Sequence, residues 1–179
     1  MMQQETVDAM RASDLFAHVM GRTLSHRLIG ELSNRTVSLA QVHALRYMWL
    51  HDDVLMGDLA EGLGISYPSA TNMVKRLERR GFVMRRMNPV DRREVEVRLT
   101  DAGVHMVTRM ETERVERLGV TLRAMASDDR EALLRGLVAF VRAAVAGGTA
   151  IASDLCLRCG REKWAGCPVC QVEKVHADE

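Results

Sequence analysis

The sequence predicts a mainly α protein that carries one β-hairpin among its helices and a small cysteine-bearing appendage. Three observations lead there. Of 179 residues, 47% are apolar, only 4% are aromatic and three are Pro, so the core is aliphatic and Met-rich. Long segments repeat apolar residues at helical spacing. From Leu59 to Gly103 the order reads helix, turn, helix, strand, arginine-tipped loop, strand, then the start of another helix. The twelve Met residues are read as adaptable core filling.

Taken in order, residues from about Ala9 to Leu32 form one long helix, because Phe16, Met20, Leu24, Leu28 and Leu32 recur every four positions and make one apolar stripe. Ser38 offers an N-cap for a helix to about Leu50, with Val42, Leu45 and Trp49 facing inward. A short helix from about Met56 to Gly62 ends before Gly64, where a positive φ permits a sharp turn. Ser66 caps the next helix, and Pro68 is tolerated in its first turn because those N–H groups lack intrahelical partners. Met73, Val74 and Leu77 form its buried face, and Gly81 ends it.

Phe82 to Met87 and Glu94 to Leu99 read as paired strands. Val95, Val97 and Leu99 alternate with Glu94, Glu96 and Arg98, the period of a half-exposed strand. Thr100 caps a long helix to about Met125, in which Val115, Leu118, Leu122 and Met125 are spaced as in a coiled-coil seam. Ser127 or Asp128 caps a last helix to about Val145, and Asp128 with Glu131 has the spacing of a capping box. The chain thus divides into a main domain over 1–146, a linker over 147–154 and a tail over 155–179, with the two-helix unit at about 56–81 and the hairpin at about 82–99.

Charge is unevenly placed. The formal net charge is +1, yet Lys75 to Arg98 hold nine basic residues against four acids, so the remainder is acidic by four. A localised basic patch on an otherwise acidic chain fits a polyanion footprint. In the two-helix unit Ala60 is small where helices cross, Gly64 sits at the turn, and Leu59, Leu63, Ile65, Ala70 and Met73 wedge the helices apart. Ser66 and Ser69 near the start of the second helix, with Asn72, Lys75, Arg76 and Arg79 on its outward positions, make a candidate reading face. Short polar side chains reach base edges in a major groove, and cations further along suit phosphates. Asp91, Arg92 and Arg93 tip the hairpin, where an arginine can enter a minor groove and Asp91 can aim the Arg93 guanidinium through a paired carboxylate. The partner implied is double-stranded DNA.

Residues Ile65 to Gly103 resemble the multiple-antibiotic-resistance regulator (MarR) family, on Val74, Leu77, Gly81, Arg85, Asp91, Arg93, Leu99, Thr100 and Gly103, which follow that family's order of helix, wing and Leu-Thr-x-x-Gly. The similarity of layout extends from about Met10 to Val145. The resemblance implies a winged helix-turn-helix with long N- and C-terminal dimerisation helices. It implies a homodimer that binds near-palindromic operators, usually as a repressor, and releases them when a small aromatic effector or an oxidant acts. By position, Arg93 would enter the minor groove with Asp91 orienting it, and Ser69, Asn72, Lys75 and Arg76 would lie on the reading face. The family's oxidation-sensing Cys lies in the first helix, and this chain has no Cys before position 156. His18, His26, His43, His51 and Trp49 are read as core or surface residues rather than an effector pocket. Dimerisation also follows from physics, since the terminal helices carry apolar stripes that no further domain of this chain covers.

The tail departs from the family pattern. Cys156 and Cys159, then Cys167 and Cys170 after seven intervening residues, form two Cys-x-x-Cys pairs, which together supply four thiolates for a small four-cysteine knuckle. Tetrahedral zinc is the first choice, an iron–sulfur cluster on the same thiolates the second, and reversible disulfides the third. An iron–sulfur or thiol redox-sensing regulator is therefore the alternative function, and a zinc-knuckle protein–protein adaptor a further one. An enzyme is not expected: no βαβ unit accompanies the Cys pairs, and four Cys close the zinc shell against substrate. The N-terminus lacks an apolar core of signal-peptide type, and no apolar run is long enough to span a bilayer, so a cytoplasmic protein without membrane contact is expected.

Overall fold

The polypeptide runs through α1 (Met2–Gly21), α2 (Leu39–Leu50), β1 (Val54–Leu55), α3 (Met56–Gly62), α4 (Tyr67–Arg79), β2 (Val83–Met87), β3 (Val95–Leu99), α5 (Asp101–Ala124) and α6 (Ser127–Ala146). The computed structural model describes residues 2–21, 37–51, 54–88, 91, 94–151, 155 and 167–170. It is mainly helical with one small antiparallel sheet of order β1-β3-β2. Arg85 faces Val97 and Met87 faces Val95 across the hairpin, and Val54 faces Val97 on the other side of β3.

Local chemistry sets most boundaries. Ser38 caps α2 through a full capping box: its hydroxyl accepts from the Gln41 N–H at 3.3 Å, and the Gln41 side chain accepts from the Ser38 N–H at 3.0 Å. Gly64 and Gly81 take φ of 64° and 76°, as the turns after α3 and α4 demand. Thr100 accepts from the Gly103 N–H at 3.2 Å and donates to the Gly81 carbonyl, tying the start of α5 to the turn after α4. A Cβ at Gly103 would collide with the Phe82 carbonyl oxygen, so the Leu-Thr-x-x-Gly string is a hydroxyl cap plus a close backbone crossing.

The core gathers where α2, α3, α4 and the sheet meet. Leu45, Leu59, Val74, Leu77 and Val97 are its largest fully buried side chains, and Leu63, Ile65 and Met73 pack against them as half-buried residues. The expected wedge between α3 and α4 is therefore present, with Ala60 and Ala70 buried at the crossing.

Several expectations change. The first helix starts at Met2 rather than near Ala9, and the Leu24, Leu28 and Leu32 part of its stripe lies outside the described residues. Trp49 does not face inward and is 37% exposed, because the face of α2 turned to the core follows Gln41, Ala44, Leu45 and Met48. Tyr47 is buried as well, against Gly62, where a Cβ would strike its ring. The cap of α6 is Ala126, with no side-chain hydrogen bond. Ser127 and Asp128 fall inside the first turn, so Asp128 and Asp129 complement the helix dipole instead of closing a capping box. The linker opens with a helix-ending turn, in which Gly148 takes a φ of 68° and the Thr149 N–H donates to the Ala144 carbonyl at 2.9 Å. β1 is an unforeseen third strand.

Candidate nucleic-acid interface

α4 is the element on which a reading face can be built. Its Ser66 cap accepts from the Ser69 N–H at 3.4 Å, and the two hydroxyls lie 2.9 Å apart. Ala70, Val74 and Leu77, spaced four and three apart, are wholly buried. That fixes the opposite side to solvent: Ser66, Ser69, Asn72, Lys75, Arg76 and Arg79 are all exposed. The sequence-predicted residues of α4 and its cap are thus brought to one surface.

An open groove runs beside this surface, lined by Asn72, Lys75, Arg76, Glu78, Arg79 and Arg85. Arg85 of β2 reaches Glu78 of α4 with its Nη2 at 2.6 Å and its Nε at 2.9 Å. This hydrogen bond holds the Glu78 carboxyl below its usual range. Two of the lining residues are therefore held by an ion pair, and Lys75, Arg76 and Arg79 form no ion pair among the described residues.

The other basic residues are employed differently. Arg80 donates to the Gln41 side-chain carbonyl at 2.9 Å. Arg86 and Arg98 both donate to Glu96. Glu96 was expected on the solvent side of β3, and it does lie on that face, yet it is only 4% exposed. Its carboxyl is held down at about 2, first by the Arg86 hydrogen bond, with burial opposing and Arg98 adding to the lowering. The described basic residues between Lys75 and Arg98 are thus a mixture of structural cations and cations turned to solvent. Sequence reasoning missed the first kind, since the Arg80 partner lies 39 positions away.

At the wing, the Asn88 N–H donates to the Glu94 carbonyl at 3.0 Å, and the Asn88 side chain accepts from the Asp91 N–H at 3.3 Å. Asp91 is exposed at this tip. Arg92 and Arg93 lie outside the described residues, and with them the expected Asp91–Arg93 pair. In the tail Cys167 is buried and Cys170 half-buried at either end of a helical turn, whereas Cys156 and Cys159 lie outside the described residues. Among the described residues, no helix is long and apolar enough to cross a membrane.

A capped helix with one buried and one polar, cationic face, preceded by a short helix and followed by a two-stranded wing, defines a winged helix-turn-helix protein. The MarR family pattern matches residues 37–95. The chain is 34% identical to the HTH-type transcriptional regulator ML2140 of Mycobacterium leprae over 126 residues, covering 70% of this chain and 87% of that protein. It is 28% identical to the HTH-type transcriptional regulator YfiV of Bacillus subtilis over 115 residues, or 64% of this chain and 72% of the other. Among solved structures it resembles RV1404 from Mycobacterium tuberculosis, at 26% identity and a TM-score of 0.70, covering 76% and 93% of the two chains. It also shares the fold of the S. aureus MepR–DNA complex, at 21% identity and a TM-score of 0.56, over 72% and 95%. The chain belongs to the MarR family: it is a DNA-binding transcriptional regulator and not an enzyme.

Proposed function

We propose that two copies of this chain bind a near-palindromic operator, each laying α4 in a major groove, and that occupancy represses the adjacent promoter. The observation that carries this is the division of α4 into a wholly buried apolar side and an exposed side of Ser69, Asn72, Lys75, Arg76 and Arg79. Asn72 suits a bidentate pair with adenine, and the cations suit phosphates on either side. Arg93, guided by Asp91 and flanked by Arg92, is the minor-groove residue by its place in the sequence. The S. aureus relative of this fold has been solved with DNA, which supports the same partner here.

Dimerisation is supported by the terminal helices. α1 and α6 contain no buried residue, and Leu15, Val19, Leu134, Leu137 and Phe140 are exposed along them. A two-fold partner would bury these and set two reading helices about 34–36 Å apart. The test is selection of duplexes from a random-sequence pool by the full chain, followed by footprinting. Two related half-sites one turn apart are expected, and enrichment of a single asymmetric site would overturn the dimeric reading. Repression is tested by placing the selected site in a promoter driving a reporter, where expression should fall when the protein is supplied.

The tail is read as a metal centre on Cys156, Cys159, Cys167 and Cys170. The described pair fits thiolate ligation, because Cys167 and Cys170 bracket one helical turn and so lie on the same side of it. Zinc held there staples a segment too small for its own core, and an iron–sulfur cluster on the same thiolates would make it a redox sensor. Protein purified without oxygen should be colourless with one zinc per chain, whereas visible absorption bands would assign the cluster. Removing residues 151–179 should alter operator affinity or its response to a chelator or oxidant if the tail regulates binding. A small-molecule effector remains part of the reading through family likeness, and cytoplasmic location follows from DNA as partner.

A further inference from the structure

The geometry points to Gln41 as a positioning residue for the reading helix, acting through Arg80. The inference rests on α4 being the DNA-reading element. Gln41 lies in the first turn of α2 and is 7% exposed. Its side-chain carbonyl oxygen takes two donors, the Ser38 N–H at 3.0 Å and the Arg80 guanidinium at 2.9 Å. Arg80 is the C-cap residue of α4, one position beyond the helix. One amide therefore caps α2 and also fastens the far end of the reading helix to it.

The need for such a pin follows from how α4 is seated. It buries three apolar side chains, Ala70, Val74 and Leu77. Apolar burial holds the helix down but is non-directional, so it sets the tilt loosely. Hydrogen bonds are directional, and their strength falls steeply with misalignment. At 13 residues α4 is about 20 Å long, so a tilt of about 5° about its middle moves each end by nearly 1 Å. Asn72 sits one residue from that middle, so its side-chain tip, about 5–6 Å off the axis, swings by about 0.5 Å, which degrades a bidentate contact with a base edge. The Glu78–Arg85 pair anchors the same region of α4 to β2, and Gln41–Arg80 anchors it to α2. α2 in turn is fastened to α5 by Arg46 and Glu111 at 3.0 Å, so the anchor point is itself fixed.

Gln41 holds the guanidinium without cancelling its charge, so Arg80 still complements the negative end of the α4 dipole. The competing role for Arg80 is direct phosphate contact. The two make different predictions: a positioning residue alters discrimination between sequences, and a phosphate contact weakens all duplexes alike and reduces the salt slope by about one.

The experiment measures affinity for a duplex selected by the wild-type chain and for a scrambled duplex of equal length, at several salt concentrations. Gln41→Met, Arg80→Met, the double variant, Gln41→Glu and Asn72→Ala are compared. The expected result is that Gln41→Met, Arg80→Met and the double variant each lower the selected-to-scrambled ratio by the same factor, about tenfold, with an unchanged salt slope. Gln41→Glu, which keeps the acceptor, should preserve the ratio. Arg80→Met leaves the α2 cap untouched, so it carries the test even if Gln41→Met unfolds. If Asn72→Ala lowers the ratio while Arg80→Met leaves it intact, the pin is overturned and the reading face stands. An equal loss on both duplexes with a shallower slope makes Arg80 a phosphate contact and overturns the pin too. If Asn72→Ala also binds as wild type, the reading face fails and the inference with it.

Discussion

Glu96 is the residue whose charge state the wing depends on. It faces Arg86 across the hairpin register and shares its carboxylate with Arg98 on its own strand. Because its folded pKa of about 2 lies below the ordinary 4.5, its contribution is present above pH 4.5 and is lost as pH falls through about 2. Glu96→Gln should therefore flatten the stability-versus-pH curve between those values, as read by denaturant unfolding at stepped pH. Gly103 is tied to backbone geometry instead. Gly103→Ala would force the start of α5 away from the Phe82 carbonyl, and the loss should be about 1–3 kcal/mol in an unfolding titration. The two residues differ in how much the sequence discloses. Gly103 was visible as part of a string with a fixed spacing. The face of Glu96 was visible from strand alternation, but its burial was not, because Arg86, one of the two arginines that bond it, is placed by pairing across the sheet.

For α4, each side chain has one assigned task, and the tasks separate experimentally. Asn72→Ala should relax selectivity at one position of the selected duplex, costing about 1–3 kcal/mol there. Lys75→Ala or Arg76→Ala should weaken binding to every duplex and reduce the salt slope by about one. Ser66→Ala removes the cap and should cost about 0.5–2 kcal/mol of stability, measured on the free protein. Elements of this kind were legible because their ends are set by local chemistry: Ser38, Gly64, Ser66, Gly81 and Thr100 each act where the sequence placed a cap or a turn. β1 was not legible, since two residues offer no periodicity and become a strand only by pairing with Val97 and Glu96. On α2, Leu45 is buried and Val42 packs against the core as expected, and Trp49 alone was misplaced, for a related reason. The helix is covered by α3, α5 and β3 together, so burial reaches more than one stripe of it and a single spacing rule fails.

Across the whole molecule, the chain leaves apolar surface open that its own core does not use. Val115 on α5 is 70% exposed and Phe140 on α6 is 73% exposed, although both sit in segments whose spacing signals burial. The proposed symmetric partner would cover it, and Leu137→Asp with Phe140→Asp should then yield a folded monomer by light scattering that no longer holds the selected duplex. The stripes were visible in the sequence but what covers them was not, because a contact between copies would leave no mark distinguishable from a core contact in one chain. The central claim is that the cationic side of α4 meets DNA phosphates, and the affinity of the wild-type chain for its selected duplex between 50 and 200 mM salt tests it most directly. A fall on the order of 10³–10⁵ is predicted for six to ten phosphate contacts, and an affinity unchanged across that range would contradict it.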